Sequence, residues 1–242
     1  MKRIAFSAVI VALVLVSGCV SIDLEQELKK DGTSVVTEEI DLSGFISAAS
    51  EMGNDSSTSA SDFEEMALEA CEPFESDAEA ECTYSLSDYT ITVSKEITPE
   101  EGGYTFTRQA EFPNVEYVFQ TDQLPKVDVN LELDEAAGGE APAMEDETIR
   151  FTDSDAPQTA ASMKMMSVEI TYTILMPGEI TEARNGIIND KGQAVYDVLD
   201  LMEEQQTIKV TSEESDPVGA LCGPAFVLAA LLGASLFSVF RE

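Results

Sequence analysis

Residues 20–42 read VSIDLEQELKKDGTSVVTEEIDL. Val20, Ile22, Leu24 and Leu28 alternate with Ser21, Asp23, Glu25 and Glu27, the two-residue period of a half-buried strand. Asp31-Gly32 then supplies the positive φ that a tight hairpin turn requires. The returning segment, 34–42, puts Val36, Ile40 and Leu42 on one face. A β-hairpin with one wet and one dry side follows from these residues alone.

The same period recurs down the chain. Cys82, Tyr84 and Leu86 alternate, as do Tyr89, Ile91 and Val93. After a turn at 98–103 come Tyr104, Phe106, Ala110 and Phe112, then Val115, Tyr117 and Phe119. Val127, Val129, Leu131 and Leu133 give another alternating run. Ile149–Thr152 reads as a short strand, and Met166, Val168, Ile170, Tyr172 and Ile174 form the longest one. Met176-Pro-Gly178 ends it, and Asn185-Gly186 marks a further turn. Residues 194–202 read as a short strand running into a helical turn, and Ile208 and Val210 sit in a last strand. Polar residues fill most opposing positions, which predicts antiparallel strands with one solvated face. The aromatics between Tyr84 and Phe119 read as core in preference to an apolar ligand cavity.

Helical spacing shows in two places. Phe45, Ile46, Ala49 and Met52 share one stripe, and a polar loop follows at 53–60, containing the glycosylation sequon Asn54-Asp-Ser56. Ser61-Asp-Phe-Glu64 fits a capping box opening a helix with Phe63, Met66, Ala67 and Ala70 inside. Residues 134–147 (DEAAGGEAPAMEDE) predict an exposed loop, a second loop precedes the Met166 strand, and 211–216 reads as a six-residue polar spacer. The expected fold is α+β: a mostly antiparallel β-sheet domain with one or two short helices, plus a C-terminal transmembrane helix.

The two ends carry the address. Met1-Lys2-Arg3 is a basic start, and residues 4–16 are a thirteen-residue apolar core, the length of a secretory h-region. Val16-Ser17-Gly18-Cys19 resembles a lipobox, so Cys19 is the expected lipidation site after removal of residues 1–18 as a lipoprotein-type signal peptide. The competing reading is an uncleaved anchor with an incidental cysteine. At the other end, residues 217–240 (PVGALCGPAFVLAALLGASLFSVF) hold no charged side chain. At about 1.5 Å per residue such a helix spans roughly 36 Å, enough for a ~30 Å hydrocarbon layer. Lys2, Arg3 and Arg241 stay cytoplasmic under the positive-inside rule, which puts 19–216 on the extracytoplasmic side of the cell membrane. Cys222-Gly223-Pro224 also resembles an archaeal sorting signal, in which case the helix would be processed. Gly219 and Gly223 have the spacing of a helix-packing pair.

Cys71 and Cys82 flank an acidic link, and outside the cell that spacing suggests a disulfide joining helix to strand; a pair of free thiols is the alternative. The net charge of −34 repels nucleic acid and anionic head groups, so neither is an expected partner. Solubility, a salt-rich habitat that screens self-repulsion, and calcium binding are three readings of the acidity. Calcium has the weakest support, since no EF-hand loop is present and Asp153-Ser-Asp155 stands alone. With no His and no Trp, the chain lacks every His-dependent catalytic arrangement and the usual His-ligated metal sites. No catalytic residue, cofactor or metal is expected.

Met176-Pro177-Gly178-Glu179-Ile180-Thr181-Glu182, the turn at Asn185-Gly186, Val195-Tyr196-Asp197 and Thr207-Ile208-Lys209-Val210 precede the terminal apolar segment. With Cys19 and the Asp31-Gly32 hairpin, this order resembles the LppM-like lipoprotein domain family. The resemblance rests on short motifs at both ends of the domain and fades between 43 and 161; the polar loop at 53–60 and the acidity depart from it. It implies an anchored α+β extracytoplasmic domain able to take lipidic ligands, with no catalytic residues to carry over. The expected function is therefore non-enzymatic: binding of an amphiphile, an envelope component or a partner protein. The alternatives are a subunit of a membrane secretion or assembly complex, and a carboxylate-based glycan enzyme. The last needs two carboxyls at about 5–9.5 Å facing a cleft.

Overall fold

The computed structural model describes residues 20–44, 46–47, 60–75, 77–111, 114–125 and 149–215. The strands are β1 (Val20–Leu28), β2 (Ser34–Asp41), β3 (Ala80–Ser85), β4 (Thr90–Ile97), β5 (Tyr104–Glu111), β6 (Asn114–Thr121), β7 (Val168–Leu175), β8 (Glu179–Arg184), β9 (Ile187–Ile188), β10 (Ala194–Asp197) and β11 (Ile208–Ser215). Short helices are α1 (Ala60–Cys71), α2 (Pro99–Gly102), α3 (Ala156–Met165) and α4 (Val198–Glu203). The class is α+β, mostly sheet. Seven strands form one sheet in the order β3-β4-β2-β1-β7-β10-β9, and four form a second, β5-β6-β11-β8.

The opening hairpin forms as its residues dictate. Gly32 sits at φ +95. Asp31 Oδ1 accepts from the Thr33 amide (3.1 Å) and hydroxyl (2.9 Å), which holds the Asp31 carboxyl below its usual range. β1 and β2 pair from Ser21–Asp41 to Leu28–Ser34. On the other flank, β1 pairs in parallel with β7, Val20 opposite Val168 and Glu27 opposite Leu175. This corrects the expectation of antiparallel neighbours here, because alternation reports a wet face and not the direction of the adjoining strand.

One face of the seven-stranded sheet is dry. Leu24, Leu28, Val36, Ile170, Tyr172 and Ile174 pack against Tyr104, Phe119, Ile208 and Val210 of the second sheet and Leu199, Leu201 and Met202 of α4. Toward β4, Ile40, Leu42, Ile91 and Val93 pack under Phe63, Ala67 and Ala70 of α1. The opposite face is acidic, with Asp23 directly across from Glu39.

Several boundaries differ from expectation. α1 is described from Ala60, which puts Ser61 in its first turn. The turn at 98–103 contains a helical turn, α2, capped by Thr98 and Glu101 in reciprocal bonds. The expected loop before Met166 holds α3, whose inward residues, Ala156 and Ala160, are too small to register as an apolar stripe. Met166 ends that helix at 55% exposure and does not begin β7. Ile149–Thr152 contributes a single bridge, Arg150 to Gln123. The spacer expected at 211–216 is the second half of β11: Thr211 and Ser212 are buried, Ser212 Oγ donating to the Pro177 carbonyl at 2.7 Å. The stripe residues Phe45, Ala49 and Met52, the alternation at 127–133, the loop at 134–147 and both apolar ends lie outside the described residues. Among the described residues no helix is long and apolar enough to cross a membrane.

Glu38 interrupts the dry face of β2, opposite Leu24 on one side and Val93 on the other. It has no hydrogen-bond or ion-pair partner among the described residues, and burial lifts its carboxyl from 4.5 to about 7. Folding therefore favours the neutral acid. Stability from this group is full below the unfolded value of 4.5 and lost as pH rises through about 7. Glu38→Gln is expected to stabilise the domain by about 1–3 kcal/mol near pH 8 and to change little near pH 4.5. Melting curves at the two pH values check it; an equal effect at both contradicts it.

Candidate functional site

Two of the quoted stretches, Asn185-Gly186 and Val195-Tyr196-Asp197, line one cleft. Gly178, at φ +82, closes the turn after β7; a Cβ there would lie 2.4 Å from the Glu213 carbonyl oxygen, so no side chain fits. β8 runs back along β11, with Lys209 opposite Arg184. Asn185 takes a left-handed conformation, φ 64, and its Nδ2 donates to the Thr207 carbonyl at 2.9 Å. Gly186 then lies on the Tyr196 ring, where a Cβ would meet Cε1 at 2.4 Å. The β9–β10 hairpin is held by Asn189 Oδ1, which accepts from the amides of Lys191 and Gln193, both at 3.0 Å. Asp197 caps α4 by accepting from the Asp200 amide at 3.1 Å.

These elements bound a cavity of about 610 Å³, with Asn185, Gly186 and Ile187 on one wall and Tyr196, Asp200 and Leu201 on the other. The volume lies in the range of small-ligand clefts. Tyr196 is buried, and its hydroxyl is the one buried side-chain oxygen or nitrogen without a hydrogen-bond partner among the described residues. Burial, then the charge of Glu182, holds its pKa well above the usual value. Beside the cleft, Lys164 Nζ donates to Asp200 (2.7 Å) and Glu203 (2.6 Å), which raises its pKa. Ile187 and Leu201 line the cleft together with the acid groups of Asp197, Asp200 and Glu204, while the Tyr196 hydroxyl itself is buried. Among the described residues no cluster of His, Cys, Asp and Glu could hold a metal.

Cys71 ends α1 and Cys82 lies in β3; their sulfurs are bonded, with Cα atoms 5.5 Å apart. Cys19 lies outside the described residues, immediately before β1. The Tyr196 cleft was not foreseen, because Gly186 reaches the Tyr196 ring only once β9 has folded back on β10.

No protein-family model matches the chain, and no curated protein matches it. Among solved structures, the NMR structure of the Mycobacterium tuberculosis LppM folded domain aligns with 83% of this chain and 93% of that one, at TM-score 0.33 and 10% identity. At that score the likeness carries no argument.

Closing so short a loop contributes roughly 3 kcal/mol on the chain-entropy estimate. Cys71→Ser is expected to lower the melting temperature in oxidising buffer and to abolish any response to reductant. Identical wild-type melting curves with and without reductant would contradict the bond.

Proposed function

We propose that the chain is a non-enzymatic, membrane-anchored extracytoplasmic protein. Its folded body, within 19–216, is held against the outer membrane face by a lipid on Cys19 and a helix at 217–240. Its cleft serves an amphiphile, an envelope component or a partner protein. The observation that carries this reading is where the folded elements stop. β1 begins at Val20, one residue past the lipobox cysteine, and β11 ends at Ser215, two residues before the uncharged apolar run. The first and last described strands thus lie next in sequence to the two membrane-type signals.

Further support comes from the Cys71–Cys82 bond, which suits an oxidising compartment, and from the absence of His in the whole sequence. Kinship with LppM-like lipoprotein domains is part of the same proposal. It is supported by the meeting of Asn185-Gly186 and Tyr196-Asp197 in one cleft, though these residues lay apart in the motif order.

Intact-mass spectrometry of the protein extracted from membranes tests it. The expected mass lacks residues 1–18, includes acyl chains at Cys19 and retains the Cys71–Cys82 bond. Recovery of an uncut, unmodified chain from the soluble fraction would sink the proposal.

A further inference from the structure

The register of the four-stranded sheet sorts its outer face into rows. Val210 and Ala183 lie opposite each other on β11 and β8 and both pack into the core. Their neighbours Lys209 and Arg184, also opposite each other, therefore stand on the solvent side. Gln120 flanks Lys209 from β6. Arg184 and Gln120 are exposed and Lys209 is half-buried. The next row holds Glu182 opposite Thr211, and in the row after it Glu213 lies between Glu116 and Glu179. Cations thus occupy one end of this face and carboxylates the other.

Like charges set directly opposite on neighbouring strands destabilise a sheet. Counter-ions are plentiful here, with 47 acidic residues against 13 basic ones, and Lys29, Lys30, Lys95, Arg150 and Lys164 each hold a carboxylate. Arg184 and Lys209 hold none. Among the described residues neither side chain has a hydrogen bond or an ion pair, and Glu182, diagonal to Lys209 on the same face, bridges to neither. The acid groups of the neighbouring cleft are taken up elsewhere: Glu204 accepts from the Gln206 side chain, Asp200 from Lys164 and Asp197 from the Asp200 amide. The net charge of −34 opposes an anion at long range. At about 0.15 M salt that opposition is largely screened beyond ~8 Å, whereas direct contact with two cations is not.

We infer that Arg184 and Lys209, with the Gln120 amide beside them, form a binding site for a phosphomonoester group. Side chains directly opposite on neighbouring strands start about 4.5–5.5 Å apart, close enough for both to reach one tetrahedral anion. The Arg184 fork matches two of its oxygens and the Lys209 ammonium takes the third. The two positive charges balance the roughly −1.5 to −2 that the group carries near neutral pH. A carboxylate, with two oxygens and one charge, leaves one of the cations unmatched. A soluble phosphate ester and a lipid head present the same chemistry to these three side chains. The site stands independently of the cleft and of the anchors.

Calorimetric titration of the full-length protein in uncharged detergent micelles, near pH 7.5 and at about 0.15 M salt, tests the site with two probes, inorganic phosphate and dihexanoyl phosphatidic acid. Saturable binding is expected. Arg184→Gln and Lys209→Gln each weaken it at least about tenfold. Lys191→Gln, which removes an exposed cation from the β9–β10 turn, leaves it unchanged. Circular dichroism verifies that each variant is folded, and Arg184→Lys, which keeps the charge and loses the fork, stands in for Arg184→Gln with a smaller loss if that variant is not. Binding of both probes, lost in the two variants, upholds the site and assigns it to phosphate itself. Binding of phosphatidic acid alone, lost in the same way, upholds it and assigns the group to a lipid head. No saturable binding of either probe overturns the site, as does an equal loss in the Lys191 variant.

Discussion

β1 is held on both flanks, and that constraint organises the molecule. On one side it pairs with β2, its neighbour in sequence; on the other it takes β7 in parallel. The parallel pairing brings residues 20–27 against 168–175, so everything between them is one long excursion from a closed central unit. A directed chain of hydrogen bonds locks the register from inside. The Tyr172 hydroxyl donates to Gln26 Oε1, and Gln26 Nε2 donates to Ser34 Oγ at 2.8 Å. Ser34 Oγ lies 3.1 Å from Tyr104 Oη, which donates to the Gly32 carbonyl at 2.9 Å. The chain crosses from β7 through β1 and β2 to β5 of the second sheet. Gln26, Ser34 and Tyr172 are fully buried, so a slip in register would strand their polar atoms at about 1–3 kcal/mol each.

Much of this was legible because burial is written in a period of two. Val36, Ile40, Ile91, Val93 and Phe119 all lie inside, as their alternation requires. Gln26 marks the gap in the β1 series between Leu24 and Leu28; the period shows that it points inward and cannot show what satisfies it. Strand direction is equally silent, which hid the β7 pairing. α3 escaped because alanines make a dry stripe without large side chains. Ser212 escaped because a buried hydroxyl bonded to Pro177 has the composition of a spacer. The cleft is a tertiary product: Gly186 over the Tyr196 ring is a contact made when β9 folds back on β10, and nothing in the spacing of Asn185-Gly186 announces it.

The proposed function grows from the same closure. The two proposed anchors adjoin in sequence the first and last described strands, β1 from Val20 and β11 to Ser215. Under that proposal a chain of net charge −34 is held near the bilayer by its ends and not by charge. Under the same proposal the cleft beside β9 is where an amphiphile would bind.

Native-state hydrogen exchange on the intact protein reads the central constraint directly. If β1 is gripped from both sides, its amides and those of β7, from Ile22 to Gln26 and Ile170 to Ile174, exchange only through global unfolding, and more slowly than the edge strands β3 and β9. Exchange in β1 as fast as in β3 would contradict the account.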